Sequence, residues 1–179
     1  MQWRNDPQKF GLVTRLIHWG MALLIVSMLS LGTILANMQP NLSNLSLYGL
    51  HKTGGFIALT LVILRLIWHR INPPPAPIGP PNAWNNRAAK GAHLLIYLLL
   101  LCIPLAGWIG SSATGIDVMF LDRWVIPPIA PVSEAWESWG FLAHRVLTRT
   151  LMVVLALHVA GALKRGMDGD ATMRRMIGG

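Results

Sequence analysis

Four long apolar runs, separated by shorter polar stretches, dominate the chain. They lie at about 14–36, 50–70, 91–110 and 139–164. Each approaches the roughly 20 residues that a helix needs to cross a bilayer. Because a backbone in lipid has to satisfy its own hydrogen bonds, helices are the expected form. The pattern predicts an all-α fold, an integral membrane four-helix bundle that forms one domain over residues 1–179.

The composition places the chain in a membrane. Its 179 residues are 53% hydrophobic and only 12% charged, whereas soluble domains carry about 25% charged residues. The mean hydropathy is +0.48. The first apolar run is long and lacks a clear small-x-small cleavage site, so we expect it to be retained rather than removed as a signal peptide.

The formal net charge of +8 is distributed unevenly along the chain. Eleven of the 15 lysines and arginines precede the first run, flank the second connection or follow the fourth run, and all these segments share one side of the membrane. The positive-inside rule therefore predicts that both termini are cytoplasmic. No basic stripe is interleaved with aromatic residues, so nucleic acid is not an expected partner.

The connections carry no catalytic motif. Residues 71–84 contain six prolines and are predicted to form a stiff linker. Residues 111–138 form the longest segment on the outer side and carry Trp124 and Trp136, with Trp139 directly after them. We expect these to anchor the chain at the membrane interface, and a loop that covers a site is the alternative. Cys102, the single cysteine, is expected to be a small core residue rather than a thiolate ligand.

The histidines fall at two levels of the predicted bundle. His51 and His144 lie near the outer surface. His144 and His158 are 14 residues apart, which places them on nearly the same face of one helix and about 21 Å apart along its axis. Polar groups at such depth are usually functional, with interhelical hydrogen bonds as the plain alternative. The histidines near the inner surface are His18, His69, His93 and His158.

Two layers of imidazoles in a four-helix bundle are typical of two stacked b-type haems. A haem iron with two histidine ligands has no open position, which suits electron transfer better than oxygen binding. Zinc is the alternative metal that these histidines could bind, but it favours about four clustered nitrogen or sulfur ligands. No Cys-x-x-Cys-His motif is present, so covalent haem attachment is not expected.

Glycines and cations near the histidines support a haem site. Gly54 and Gly55 follow His51 by about one turn, where a flat macrocycle or a close helix contact needs little side-chain bulk. Arg65 follows His51 by 14 residues and is expected to face the interior at the inner level. It would pair with a haem propionate or snorkel to the interface. Candidates for the outer propionates are Lys52, Arg145 and Arg149.

The chain resembles the bacterial cytochrome b561 family over nearly its whole length, including all four apolar runs and the proline-rich connection. It is also similar to the membrane cytochrome b subunits of nickel–iron hydrogenases and formate dehydrogenases. The resemblance rests on "RLIHWGMALLIV", "LHKTGGFIALTLVILRLIWHRINPPP", "AHLLIYLLLL", "AHRVLTRTLMVVLALHVAGALKRG" and "GDATMRRMIGG".

The resemblance implies a four-helix bundle with two non-covalent b haems in the bacterial inner membrane. It assigns the inner haem to His18 and His158, and the outer haem to His51 and His144. It also implies electron exchange with a membrane quinone, ubiquinone or menaquinone. One member type is a superoxide oxidase that passes its electron to ubiquinone.

The resemblance leaves the electron donor open. The two candidate donors are superoxide and a periplasmic redox protein. If the chain is not a superoxide oxidase, it is expected to be an electron carrier. The alternative function is a membrane-anchor subunit of a hydrogenase- or dehydrogenase-type complex. Besides membrane lipid, a second copy of the chain in a homodimer is a candidate partner. His93 is left over at the inner level, four residues before Tyr97. It would line a quinone or proton path, hydrogen-bond to a propionate or backbone carbonyl, or replace an inner ligand.

Overall fold

The prediction of four membrane-crossing helices is confirmed. The computed structural model describes residues 2–80 and 83–178. Four helices in these ranges are long and apolar enough to span a membrane. They extend beyond the predicted apolar runs at most ends. They are α1 (Leu12–Leu35), α2 (Leu45–Ile71), α3 (Trp84–Ala113) and α4 (Glu134–Met167), and a short α5 (Thr172–Ile177) follows them.

The helices pack in chain order, α1 on α2, α2 on α3 and α3 on α4. A small cluster of buried apolar side chains joins all four: Met21, Val62, Leu99, Leu100 and Leu151. Most other large apolar side chains are exposed, as expected of a surface that faces lipid tails.

The two ends of the bundle are here called outer and inner, after the orientation that the positive-inside rule predicts. Helices α3 and α4 approach each other closely near the outer end. A Cβ atom added at Gly140 would lie 2.5 Å from the backbone nitrogen of Gly110, so position 140 requires glycine. The acidic side chains Glu134 and Glu137 lie in the first turn of α4, where they complement the positive end of the helix dipole. This close contact sets α4 against α3 at the level of His144.

The outer connection is not the single long loop that the sequence predicted. Residues 111–113 belong to α3 and residues 134–138 to α4. Between them, β1 (Val118–Phe120) and β2 (Trp124–Ile126) form an antiparallel hairpin that the apolar pattern did not reveal. Strands of three residues are too short to give a periodic signal.

The hairpin docks on the start of α2. The backbone N–H of Leu121 donates a hydrogen bond to Thr53 Oγ1 at 3.0 Å, and the Asp122 carboxylate lies against Gly49. Both Leu121 and Asp122 have positive φ angles, 54° and 50°, which form the tight turn. The outer connection therefore folds back over the bundle, close to the helix end that carries His51.

The inner end is closed by residues 168–178, here called the C-terminal cap. Trp19 Nε1 donates to the carbonyl of Met176 at 3.1 Å, and Arg15 donates to that of Ile177 at 2.9 Å. Arg175 donates to the carbonyl of Ala76 in the proline-rich linker at 3.0 Å. Pro81 and Asn82 of that linker, and Gly179 of the terminal motif, lie outside the described residues.

The prediction for Cys102 is wrong, because this side chain is exposed on α3 rather than buried in the core. Hydropathy cannot distinguish the two faces of a membrane helix, since the lipid is as apolar as the protein interior.

Candidate functional site

The two outer histidines meet between α2 and α4. The ring centroids of His51 and His144 lie 6.0 Å apart with an interplanar angle of 79°. His144 Nδ1 donates a hydrogen bond to the carbonyl of Ile103 on α3 at 2.9 Å. His51 Nδ1 is buried and has no hydrogen-bond partner in the described part of the chain. A bond from Nδ1 to a backbone carbonyl leaves Nε2 of His144 free to accept a metal.

Two glycines that the sequence analysis missed make room for these rings. A Cβ at Gly32 would lie 3.0 Å from His51 Cε1, and a Cβ at Gly107 would lie 2.9 Å from His144 Nδ1. Each imidazole therefore packs directly against the backbone of a neighbouring helix. The sequence carries only a weak signal for them, namely a glycine within an apolar run at the level of a histidine. Many glycines that only allow close helix packing occupy similar positions.

Three of the inner histidines gather from α1, α3 and α4. The ring centroids of His18 and His158 are 6.5 Å apart, with an interplanar angle of 57°. The ring of His93 lies closer to that of His158, at 5.2 Å between centroids. His93 is exposed, whereas the other two are half-buried. The predicted two levels are therefore present in the fold.

Arg65 connects the inner histidines to a second group of side chains. Its Nη2 donates to His18 Nδ1 at 3.0 Å, and its guanidinium carbon lies 5.6 Å from the centre of the Tyr97 ring. Tyr97 shares a hydrogen bond of 3.2 Å with His69 Nδ1. Arg65 Nε is buried with no partner among the described residues. Arg65 thus faces the interior at the inner level, as the 14-residue offset predicted.

The remaining predicted residues lie around the outer pair. Gly54 is buried against the Met28 side chain of α1, while a Cβ at Gly55 would meet nothing within 4 Å. Lys52 is half-buried and interacts electrostatically with Asp122 of the hairpin. Arg145 and Arg149 are exposed on α4.

Comparison with known proteins decides the family. The family model described as prokaryotic cytochrome b561 matches residues 9–179. The chain belongs to this family. It is 28% identical to cytochrome b561 homolog 2 of Escherichia coli K12 over 187 aligned residues, which cover 99% of this chain and 96% of that protein. It is 27% identical to cytochrome b561 homolog 1 of the same strain over 135 residues, covering 71% and 72%.

Membership in the cytochrome b561 family implies a membrane cytochrome that carries haem b and transfers electrons. The imidazole pairs fit such a group. Metal–imidazole bonds of about 2 Å to opposite faces of one metal place the two ring centroids roughly 6 to 6.5 Å apart. The outer pair at 6.0 Å and the His18–His158 pair at 6.5 Å match this separation. His93 and His158, at 5.2 Å, are too close.

A zinc site fits less well in this cytochrome b561 chain. The described residues contain no group of three or more histidine, cysteine, aspartate or glutamate side chains that could hold a metal ion. Structural zinc usually takes four such ligands. The described side chains therefore offer too few ligands for structural zinc.

The bond between Arg65 and His18 has a consequence for any metal at the inner level. Arginine has no acceptor, so His18 Nδ1 accepts this bond and the proton of the neutral ring resides on Nε2. A metal at Nε2 requires the other tautomer, with the proton on Nδ1. A metal at His18 Nε2 would therefore require the Arg65 guanidinium to turn away from Nδ1.

Proposed function

We propose that this cytochrome b561 chain binds two b haems, the outer one through His51 and His144 and the inner one through His18 and His158. The observation that carries the proposal is the separation of the two ring pairs, 6.0 and 6.5 Å. The haems supply one-electron chemistry, and the protein controls the ligands, the nearby charges and the burial.

Arg65 is proposed to pair with a propionate of the inner haem. It has to leave His18 Nδ1 when that histidine becomes a ligand, and its Nε has no other partner in the described chain. A half-buried guanidinium needs an anion or hydrogen-bond acceptor. A carboxylate on the haem satisfies this need without a new acidic residue.

The electron acceptor is proposed to be a membrane quinone beside the inner haem. His93 is exposed on α3, and its ring contacts that of His158. A quinone that arrives through the lipid therefore meets His93 before it meets the ligand pair. Quinone reduction consumes protons as well as electrons, and an imidazole can bind or deliver a proton near neutral pH.

At the outer end, a small anion such as superoxide is the proposed electron donor. Lys52 is half-buried at the start of the outer site, and Arg145 and Arg149 are exposed on α4. Asp122 offsets part of the charge of Lys52. The positive charges of these three side chains would steer an anion toward the outer haem edge.

The proposed function is tested by purifying the chain alone from a haem-sufficient host. We expect two haems per chain by quantitation, two low-spin components in the redox difference spectrum, and superoxide-dependent reduction of added ubiquinone. One haem per chain would overturn the ligand proposal. Two haems without this activity, together with a subunit that co-purifies, would instead indicate a membrane-anchor subunit.

A further inference from the structure

His69 and Tyr97 form a pair that neither proposed haem site uses. The Tyr97 hydroxyl and His69 Nδ1 are 3.2 Å apart, and the two rings meet edge to face at 6.4 Å between centroids. In the described structure, the other five histidines each have a ring contact with another histidine, whereas His69 contacts only Tyr97 in this way.

The second nitrogen of His69 is placed to receive a proton. His69 Nε2 is buried and has no hydrogen-bond partner among the described residues. Buried polar atoms are normally satisfied, so this nitrogen needs a water molecule or another ligand. An imidazole with one nitrogen bonded to a phenol and the other available can pass a proton from one side of its ring to the other.

The pair reaches from the inner end of α2 to a level deeper than His93. His69 is in the last turn of α2, which ends at Ile71. Tyr97 is one turn deeper in α3 than His93, so both point to the same side of that helix. Arg65 lies over the Tyr97 ring and contacts His18, which connects the pair to the inner site.

We propose that Tyr97 and His69 deliver the protons for quinone reduction at the inner end, an inference that rests on the quinone acceptor proposed above. Each quinone takes up two electrons, supplied through the haems, and two protons, and it forms two O–H bonds. As a quinone oxygen accepts a proton, the Tyr97 O–H bond breaks and His69 Nδ1 returns a proton to the phenol oxygen. His69 Nε2 takes up a proton from water as Nδ1 releases its own. Proton exchange with water then restores the tautomer that carries its proton on Nδ1, and the cycle repeats for the second proton.

The chain has only two tyrosines, so the test removes the phenol hydroxyl of each one in turn. Tyr97→Phe removes the proposed proton donor. Tyr48→Phe is the matched control, because the Tyr48 hydroxyl donates to the carbonyl of Met38 on the outer side. Haem-loaded proteins are reduced with dithionite, freed of excess reductant, and mixed rapidly with a short-chain ubiquinone. Haem reoxidation is then followed by absorbance in H2O and D2O.

We expect Tyr97→Phe to slow reoxidation by at least about tenfold, because general acid catalysis contributes at least that much. The rate of Tyr48→Phe should match the wild type. His69→Phe should also slow the reaction. The ratio of the rates in H2O and D2O should differ between the wild type and each of the two inner variants, Tyr97→Phe and His69→Phe. Equal rates and isotope effects in the wild type and both inner variants, with full haem content, would overturn the proposal.

An infrared measurement without quinone provides an independent readout. The C–O stretching band of Tyr97, identified by its loss in Tyr97→Phe, should shift in His69→Phe because the hydrogen bond is lost. An unshifted band would contradict the pairing itself. If the wild type is not reoxidised by quinone at all, the quinone acceptor is wrong, and the infrared result still shows whether the pair exists.

Discussion

The two ends of the bundle hold their histidines by different means. At the outer end, the rings of His51 and His144 pack against the backbone at Gly32 and Gly107, and His144 bonds to a main-chain carbonyl. At the inner end, side chains provide the contacts instead. They form a chain of groups that can carry charge or a proton: His18, His158, His93, Arg65, Tyr97 and His69.

This difference indicates how each end responds to change. A backbone carbonyl and a glycine carry no net charge and move little, so the outer pair is set mainly by packing. The inner pair lies beside a guanidinium, whose charge acts over several ångströms in a medium of low dielectric constant. We therefore expect substitutions at the outer end to alter haem retention, and those at the inner end to alter potential and proton transfer.

The largest expected effect is the loss of a whole haem. His51→Ala or His144→Ala should remove one spectral component, and His18→Ala or His158→Ala should remove the other. His69→Ala is the control and should retain both. Haem quantitation and the redox difference spectrum measure the outcome. If neither variant of a pair loses haem, that ligand assignment is wrong.

A smaller effect is expected from crowding the outer rings. Gly107→Val should weaken the outer haem site, because its Cβ would lie 2.9 Å from His144 Nδ1. Overpacking of this kind costs about 1 to 3 kcal/mol.

The matched control for Gly107→Val is Gly91→Val in the same helix, where an added Cβ meets nothing within 4 Å. The temperature at which each variant loses the outer spectral component is the measurement. Equal temperatures in the wild type and Gly107→Val would contradict a role for packing at this end.

Arg65→Leu should retain haem but lower the potential of the inner one, because a positive charge that disfavours the oxidised iron is lost. A unit charge about 10 Å away at an effective dielectric constant of about 20 contributes roughly 1.7 kcal/mol, or about 70 mV for one electron. Arg70→Leu, at the exposed end of the same helix, is the control. An unchanged redox titration would mean that Arg65 reaches the interface and does not tune the haem.

His93→Phe separates haem binding from quinone reduction. We expect full haem content with slower quinone reduction, because His93 is exposed beside His158 but too close to it for the two rings to bind opposite faces of one metal. Full haem with a normal rate would indicate only a hydrogen-bonding role. A lost haem would show that His93 is an inner ligand.

The smallest effect concerns the C-terminal cap. Burial by itself would raise the pKa of Asp170, but hydrogen bonds from Thr172 and the guanidinium groups of Arg165 and Arg175 hold that pKa below its ordinary value. A lowered pKa stabilises the folded cap above the ordinary value of about 3.9, and this contribution is lost as the pH falls through the folded value.

Cap docking should therefore be constant between about pH 5 and pH 8 and weaken only in stronger acid. At neutral pH, Asp170→Ala should make the C-terminus more sensitive to protease, whereas Asp168→Ala, whose side chain is 59% exposed, should not. Equal cleavage rates in the two variants would show that Asp170 does not hold the cap.

Helix register predicted much of the site. The 14-residue spacings between His144 and His158, and between His51 and Arg65, depend only on helix geometry, so the two levels and the inward position of Arg65 follow from local sequence. The pairing of His18 with His158 came from family resemblance. Spacing alone placed four histidines at the inner level and could not choose between them.

The sequence by itself determined four spans and two levels of histidine, because hydropathy and helical periodicity are local properties. The tertiary structure decided which side chains meet: Gly107 beneath His144, Arg65 against His18, and Tyr97 beside His69. It also left Cys102 exposed on α3 and folded the outer connection into a hairpin. These features depend on the rotation of each helix and on contacts between distant segments, which an apolar pattern cannot encode when lipid and protein interior are equally apolar.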